Sequence, residues 1–150
     1  MKVYIASDHR GFDLKIKLSY LLSALGHSIE DLGPKELDVK DDYPDYALQV
    51  AQKVVQNQDT FGILICGSGV GMDIVANKVK GIRCGLGSSP DQIKLARQHD
   101  NINCLALASD FITEVDAKEM AITFLETPFS AEDRHVRRLE KISQYESSTH

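Results

Sequence analysis

The chain has 150 residues, enough for one domain that buries roughly two-thirds of its unfolded surface. Apolar residues make up 43% and charged residues 26%, a globular balance, and the net charge of −5 argues against a non-specific nucleic-acid binder, which needs a basic excess. No apolar run approaches the roughly 20 residues that span a membrane; Met1 to Ala6 is too short for a signal peptide before Ser7-Asp8-His9-Arg10; and three cysteines without C-x-x-C spacing fit a reducing cytosol.

Val3 to Ala6 reads as a first strand. Leu14, Leu18, Leu21, Leu22 and Leu25 then form the stripe of an amphipathic helix that Gly26 closes. Ser28 to Leu32 predicts a short second strand, followed by a polar, acidic loop from Pro34 to Asp42. Ala47, Val50, Ala51 and Val54 form the next helical stripe. Phe61 to Ile65 is a continuous apolar run of the kind buried on both faces of a parallel sheet, and it ends in Cys66-Gly67-Ser68-Gly69-Val70-Gly71. A helix over about Met72 to Val79 follows, then a fourth strand, Ile82 to Leu86. Ser89 as N-cap and Pro90 as first helical residue open a helix towards His99. Cys104 to Ala108 is the fifth strand. Thr113 and Asp116 form a capping pair for the helix from Glu114 to Glu126. Pro128 breaks the chain before a last helix from about Ala131 to Tyr145, and residues 146–150 are expected to fray.

Repeated strand–helix alternation implies an α/β fold, a parallel sheet with helices on both faces. Ligands of such sheets bind beyond the carboxyl ends of the strands, which here carry Ser7-Asp8-His9, Cys66-Gly67-Ser68, Gly87-Ser88 and Ser109-Asp110. The strongest signal is Cys66 with three glycines in the next five residues. Without Cβ atoms, successive backbone N–H groups can converge on one oxyanion. The competing reading is a buried structural cysteine beside a tight turn, and for Cys84 and Cys104, inside apolar strands, that reading wins.

Two rivals are weakened by particular residues. A dinucleotide loop needs G-x-G-x-x-G with a ribose-binding acid about twenty residues on, where this chain has G-x-G-x-G and then Gly81-Ile82-Arg83-Cys84-Gly85. A cysteine phosphatase needs an arginine six positions after the nucleophile, and Met72 stands there. Arg134 and Arg138 share one helix face with no carboxylate three or four residues away, which suits a phosphate as well as a solvated basic face. His9, after Asp8, and His99, before Asp100-Asn101, are candidates for anion contact and acid–base work, against the commoner structural role of a lone histidine. His27, His135 and His150 read as structural or surface residues, and no clustering suggests metal ligands.

These pieces together resemble the type B ribose-5-phosphate isomerases. The segments that carry the likeness are Ala6-Ser7-Asp8-His9-Arg10-Gly11, Asp42-Tyr43-Pro44-Asp45-Tyr46-Ala47, Cys66 to Gly71, Ala76-Asn77-Lys78, Gly81-Ile82-Arg83, Arg97-Gln98-His99 and Arg134 to Arg138, in family order over about Val3 to Ile142. The resemblance implies a single-domain, Rossmann-like three-layer sandwich with a five-stranded parallel sheet over residues 1–145. It also implies a cytosolic homodimer, or a dimer of dimers, with active sites shared between subunits and no metal or organic cofactor. The implied reaction interconverts ribose 5-phosphate and ribulose 5-phosphate. Residue by residue, Cys66 matches the base that moves a proton between C2 and C1, with Ser68 beside the reacting carbons. The backbone of Gly67, Gly69, Val70 and Gly71 matches the hole for the enediolate oxygens. Asp8 and His99 match groups that handle the sugar and open its ring, Tyr43 lines the pocket, and Asp100 lies with the substrate contacts. His9, Arg134 and Arg138 match phosphate contacts.

Two departures stand out: Asp100-Asn101 where the family usually has Asn-Asp, and Asp110 where it commonly has a phosphate-binding arginine. Allose 6-phosphate therefore stays open as substrate, as does a binding protein without turnover, whereas galactose-6-phosphate isomerase subunits match less well because Cys66 is retained. Arg10 and Asp110 are expected either to pair across a subunit boundary, with Arg10 meeting phosphate, or to be ordinary surface charges.

Overall fold

A computed structural model describes residues 1–148. The elements in chain order are β1 (Lys2–Ser7), α1 (Phe12–Ala24), β2 (Ser28–Asp31), α2 (Tyr43–Gln56), β3 (Thr60–Cys66), α3 (Val70–Ala76), β4 (Cys84–Leu86), α4 (Pro90–Asp100), β5 (Cys104–Ala108), α5 (Glu114–Glu126) and α6 (Asp133–Ser148). All strand pairs are parallel, in the order β2-β1-β3-β5-β4. The fold is a single-domain, Rossmann-like three-layer sandwich, as the resemblance implied.

The period of two along a strand divides the core. Val3, Ile5, Ile63, Ile65, Leu105 and Leu107 face one way and pack with Leu18 and Leu22 of α1, Ile93 of α4 and Met120 and Phe124 of α5. Tyr4, Ala6, Leu64, Cys66 and Cys104 face the other way, against Ala47, Val50, Ala51 and Val54 of α2 and Met72 and Ala76 of α3. The predicted stripe of α2 is therefore its buried face. In α1 only Leu18 and Leu22 of the five leucines are fully buried, and Leu25 is 50% exposed.

Three elements differ from expectation in their bounds. β4 begins at Cys84 rather than Ile82, because the Arg83 N–H donates to the Asn103 side chain at 2.8 Å instead of to a strand. α3 begins at Val70 and ends at Ala76, earlier at both ends than the sequence pattern. Its start is set by Gly69, whose φ of 73° is left-handed and whose carbonyl accepts from Asp73 N–H. A Cβ at Gly69 would lie 2.5 Å from Leu86 Cδ1. α6 continues through Ser148, so residues 146–148 of the expected tail are helical, and residues 149 and 150 lie outside the described ones. Among the described residues, no helix is long and apolar enough to cross a membrane.

The chain leaves β1 towards β2 on one side and later leaves β3 towards β5 and β4 on the other. The crevice between the ends of β1 and β3 is thus the switch point of the sheet, the usual ligand position in this architecture. Ser7 stands opposite Ile65 and Cys66 opposite Ala108, so the segments after β1, β3 and β5 emerge side by side.

Candidate functional site

Cys66, the last residue of β3, is 5% exposed and directed to the α2–α3 side. The following turn is held from both sides. Asp8 N–H donates to the Ile65 carbonyl at 3.1 Å, Ser109 N–H to Cys66 at 2.9 Å and Asp110 N–H to Gly67 at 3.0 Å. Ser68 is exposed, and its hydroxyl accepts from Val70 N–H at 3.4 Å. Tyr43, at the start of α2, lays its ring against Gly71, where a Cβ would come within 2.7 Å of it. Tyr43, Ser68 and the 67–71 backbone therefore adjoin Cys66. α3 has only seven residues, so its dipole adds less at this turn than the longer helix expected from the sequence.

Asp8 is 6% exposed, and its Oδ1 accepts from Arg10 N–H at 2.9 Å and Gly11 N–H at 3.1 Å. Burial pushes this carboxyl above the usual carboxylate range, while the two backbone bonds act against the shift. A carboxyl raised in this way is suited to proton exchange with a sugar hydroxyl. His9 is held by Asp41, whose Oδ1 lies 2.7 Å from Nδ1 and also accepts the His9 backbone N–H at 3.2 Å.

Arg10 and Asp110 form an ion pair inside one chain, with Nη2 to Oδ2 at 2.6 Å and Nε to Oδ2 at 2.7 Å. This corrects the expected pairing across a subunit boundary. Ser109 Oγ, which donates to the Arg10 carbonyl at 3.1 Å, ties the two loops together. The pair lies on the face of Gly67, where a Cβ would stand 2.7 Å from both Arg10 Nε and Asp110 Oδ2. Gly67 is thus held to a glycine by its neighbours: a side chain there would push the pair off the turn.

The remaining candidates are elsewhere. α4 runs from the carboxyl end of β4 back to the amino end of β5, so His99 and Asp100 lie at the opposite end of the sheet from Cys66. Five residues of β5 alone span roughly 17 Å. α6 packs against α4 there, and His99 and His135 stack with ring centroids 4.3 Å apart. His135, read from the sequence as structural or surface, is 1% exposed, with Nδ1 2.7 Å from Ser130 Oγ. Burial lowers its pKa, and the neighbouring His99 and Arg134 act in the same direction. Arg134 and Arg138 are exposed on α6, but Arg134 is not unpaired: Nε donates to Glu132 Oε2 at 2.9 Å, two residues away rather than at the helical spacing of three or four.

Burial pushes the Cys104 thiol to about 12 and raises that of Cys84 well above its ordinary value. All three cysteines are free. Among the described residues, no group of three or more His, Cys, Asp and Glu side chains is arranged to hold a metal ion. The sequence reading missed Asp41, whose only signal was its place in an acidic loop. It also missed the His135 stack, since contact between α4 and α6 has no local sequence signature.

The sequence and the fold are similar to those of known proteins. The family model described as Ribose/Galactose Isomerase matches residues 3–142. A probable ribose-5-phosphate isomerase B of Mycoplasma genitalium is 47% identical over 148 residues, covering 98% of this chain and 97% of the relative. The ribose-5-phosphate isomerase B of Mycolicibacterium paratuberculosis is 38% identical, covering 97% and 92%. The crystal structure of the Mycoplasma genitalium enzyme with bound ribulose-5-phosphate matches with a TM-score of 0.95 at 46% identity, over 99% of this chain and 97% of that one. A ribose 5-phosphate isomerase from Thermotoga maritima matches with a TM-score of 0.90 at 45% identity, over 95% and 97%.

Proposed function

The chain belongs to the Ribose/Galactose Isomerase family of sugar-phosphate isomerases, and from that premise we propose that it interconverts ribose 5-phosphate and ribulose 5-phosphate. Its relatives support isomerase action on a pentose phosphate, in carbohydrate metabolism. The observation that carries the finer reading is Cys66 at the switch point, on a glycine turn beside the raised carboxyl of Asp8.

In the proposed reaction, the Cys66 thiolate removes the proton from C2 of the open-chain aldose and returns it to C1. The C1 carbonyl becomes a hydroxyl as the C2 hydroxyl becomes the carbonyl, so nothing is oxidised overall. Backbone N–H groups of Gly67 to Gly71 hold the enediolate oxygens, where charge develops. Ser68 and Tyr43 border the reacting carbons. Asp8, with His99, opens the sugar ring by exchanging protons with its oxygen and hydroxyl. His9, Arg134 and Arg138 take the phosphate, whose binding energy orients the reacting end, and Asp100 lies with the substrate contacts.

His99, Arg134 and Arg138 stand at the far end of the sheet from Cys66, so this assignment requires two copies of the chain. We propose a homodimer in which each site combines the Cys66 turn of one subunit with the α4–α6 end of its partner. Free thiols agree with a cytosolic setting. No metal or organic cofactor enters the proposed chemistry.

The test is turnover of purified protein with ribose 5-phosphate, allose 6-phosphate and galactose 6-phosphate in parallel. The expected result is a kcat/KM highest for ribose 5-phosphate. A six-carbon substrate turned over faster would reassign the substrate, and phosphate-dependent binding without turnover of any would make the chain a binding protein.

A further inference from the structure

The contacts of His9 carry an inference that rests on its reading as a phosphate contact and extends it to a residue outside the assigned set. We propose that Asp41 is the positioning residue of the anion site, holding the His9 imidazole by Nδ1 so that Nε2 is the nitrogen left for the substrate phosphate. Asp41 stands in the loop between β2 and α2, two residues before Tyr43. The same loop therefore sets both the histidine at the end of β1 and the ring against Gly71.

The geometry is that of a fixed support. The Asp41 side chain is 3% exposed and that of His9 30%, so the carboxylate is behind the ring and the ring is at the surface. Oδ1 accepts twice from the same residue, at 3.2 Å from the backbone N–H and 2.7 Å from Nδ1. An ionised carboxylate only accepts, which assigns a hydrogen to Nδ1. Nε2 then has two states: with a lone pair it repels a phosphate oxygen, and with a second proton it donates to one. The donating state is an imidazolium lying between two anions.

Asp41 Oδ2 is buried and makes no well-aligned hydrogen bond; besides His9, the side chain that meets this carboxylate is the Tyr46 hydroxyl, a neutral donor, so the buried negative charge is only partly compensated. A tie for the loop alone needs no charge, because an amide or hydroxyl accepts a hydrogen bond as well. A positive ring directly in front of the carboxylate gives the charge a purpose. The other charged groups around this point do not substitute for it. Asp8, whose carboxylate form a positive His9 favours, is an anion, as is Asp38 beside Tyr46, and the Arg10 guanidinium is taken by Asp110.

The test uses the full chain labelled with ¹⁵N in its histidines, titrated with inorganic phosphate, in wild type, Asp41→Asn and Asp41→Ala. In wild type, the His9 Nδ1 is expected to be protonated throughout and the Nε2 signal to move on phosphate addition. Asp41→Asn, which keeps the shape but not the charge, is expected to weaken phosphate about tenfold, as loss of one charge-assisted contact does. KM for the sugar phosphate should rise by the same factor with kcat within about twofold, the pattern of lost ground-state binding. Asp41→Ala should also abolish the Nδ1–H signature. Phosphate affinity unchanged in both variants, or a wild-type His9 signal indifferent to phosphate, overturns the proposal. Phosphate binding is measured without turnover, so an inert protein whose affinity still falls in Asp41→Asn would refute the isomerase reading and leave Asp41 in place. The wild-type signals decide the matter even if a variant does not fold.

Discussion

The two ends of the parallel sheet use polar residues in opposite ways. At the carboxyl end, Ser68 is exposed, Asp8 is raised by burial, and Arg10 is bound to Asp110 on the face of a glycine. At the amino end the polar side chains bond inward. Asn103 accepts from Arg83 N–H and donates to the Gly81 carbonyl, while Arg97 donates to Thr127 O, Ile102 O and Asn101 Oδ1. A hollow of about 420 Å³ lined by Lys80, Arg83 and Arg97 therefore lies over a structural seam, away from Cys66. Yet His99, Arg134 and Arg138 also sit on this second end. One chain holds both parts of the proposed site and keeps them apart.

The sharpest way to break that comparison is complementation. Cys66→Ala should lower turnover at least about a hundredfold, the usual range for a lost general base, with sugar-phosphate binding largely intact. His99→Asn should also be strongly impaired. Each variant dimer then lacks one part of both sites. Mixed dimers formed by refolding the two together carry one intact site, so an equal mixture should recover about a quarter of wild-type activity. No recovery, with mixed dimers confirmed by mass spectrometry, would place both residues in one subunit's site and contradict the topology.

Next in size is a change of stability without loss of chemistry at the seam. Arg97 is 6% exposed, its guanidinium lies 5.1 Å from the Phe61 ring centroid and 5.8 Å from that of Phe124, and it ties the end of α4 to β5 and α5. Arg97→Met keeps much of the packing but strands the carbonyls, and should cost about 2–3 kcal/mol in denaturant unfolding. The folded fraction should retain most of its turnover. A cost under about 0.5 kcal/mol, the scale of surface substitutions, would mean the seam is not the support described here.

The same contrast explains what was legible in the sequence. Elements with a local cause were found closely: Cys104 to Ala108 is an unbroken apolar run, and Ser89 and Thr113 cap their helices, accepting from Gln92 and Asp116 N–H as their spacing indicated. The apolar side chain of Ile82 reads as strand, but Asn103, twenty residues from Arg83, claims the neighbouring backbone. The chemistry-bearing motifs were visible because each lies within one turn. Asp41 against His9 and His135 against His99 were not, because those pairs exist only once separate elements meet. For Arg10 and Asp110 the sequence leaves open a pair across subunits or two surface charges, because one-dimensional spacing does not reveal a contact within the chain.

A smaller effect should appear in the pH dependence of stability. His135 has its pKa lowered from 6.5 in the folded chain, so folding favours the neutral ring. The stabilisation is complete above 6.5 and is lost as pH falls towards the lower folded value, because the unfolded chain then binds more protons. Around the ring, His99, Arg134 and Arg138 oppose its protonation and Glu132 favours it. The melting temperature should therefore fall on acidification from above to below 6.5, and His135→Gln should flatten that fall without abolishing it, since His27 is lowered too. An unchanged slope in the variant would mean that the stack titrates as it does in the unfolded chain.

The smallest expected effect concerns the Arg10–Asp110 pair. The side chains are 56% and 33% exposed, so solvent screens most of their attraction and their contribution to folding is small. Their position on Gly67 gives the pair a different consequence. Asp110 alone would present a carboxylate to an arriving sugar phosphate, and Arg10 neutralises it. Asp110→Ala frees the guanidinium for the anion and should lower KM slightly, whereas Arg10→Ala uncovers the carboxylate and should raise it. Additivity alone would offset part of the Arg10→Ala loss in the double variant, so the coupling is the departure of its KM from the product of the two single-variant factors. The resulting coupling in sugar-phosphate affinity should be about twofold at low salt and shrink as salt is added, as for other exposed pairs. A double-mutant cycle on KM measures it directly. Strictly additive effects would show that the contact is incidental and that the turn is held by its backbone bonds to Asp8, Ser109 and Asp110. A coupling that persists at high salt would instead indicate that bound substrate shields the pair from solvent, drawing Arg10 into the phosphate site.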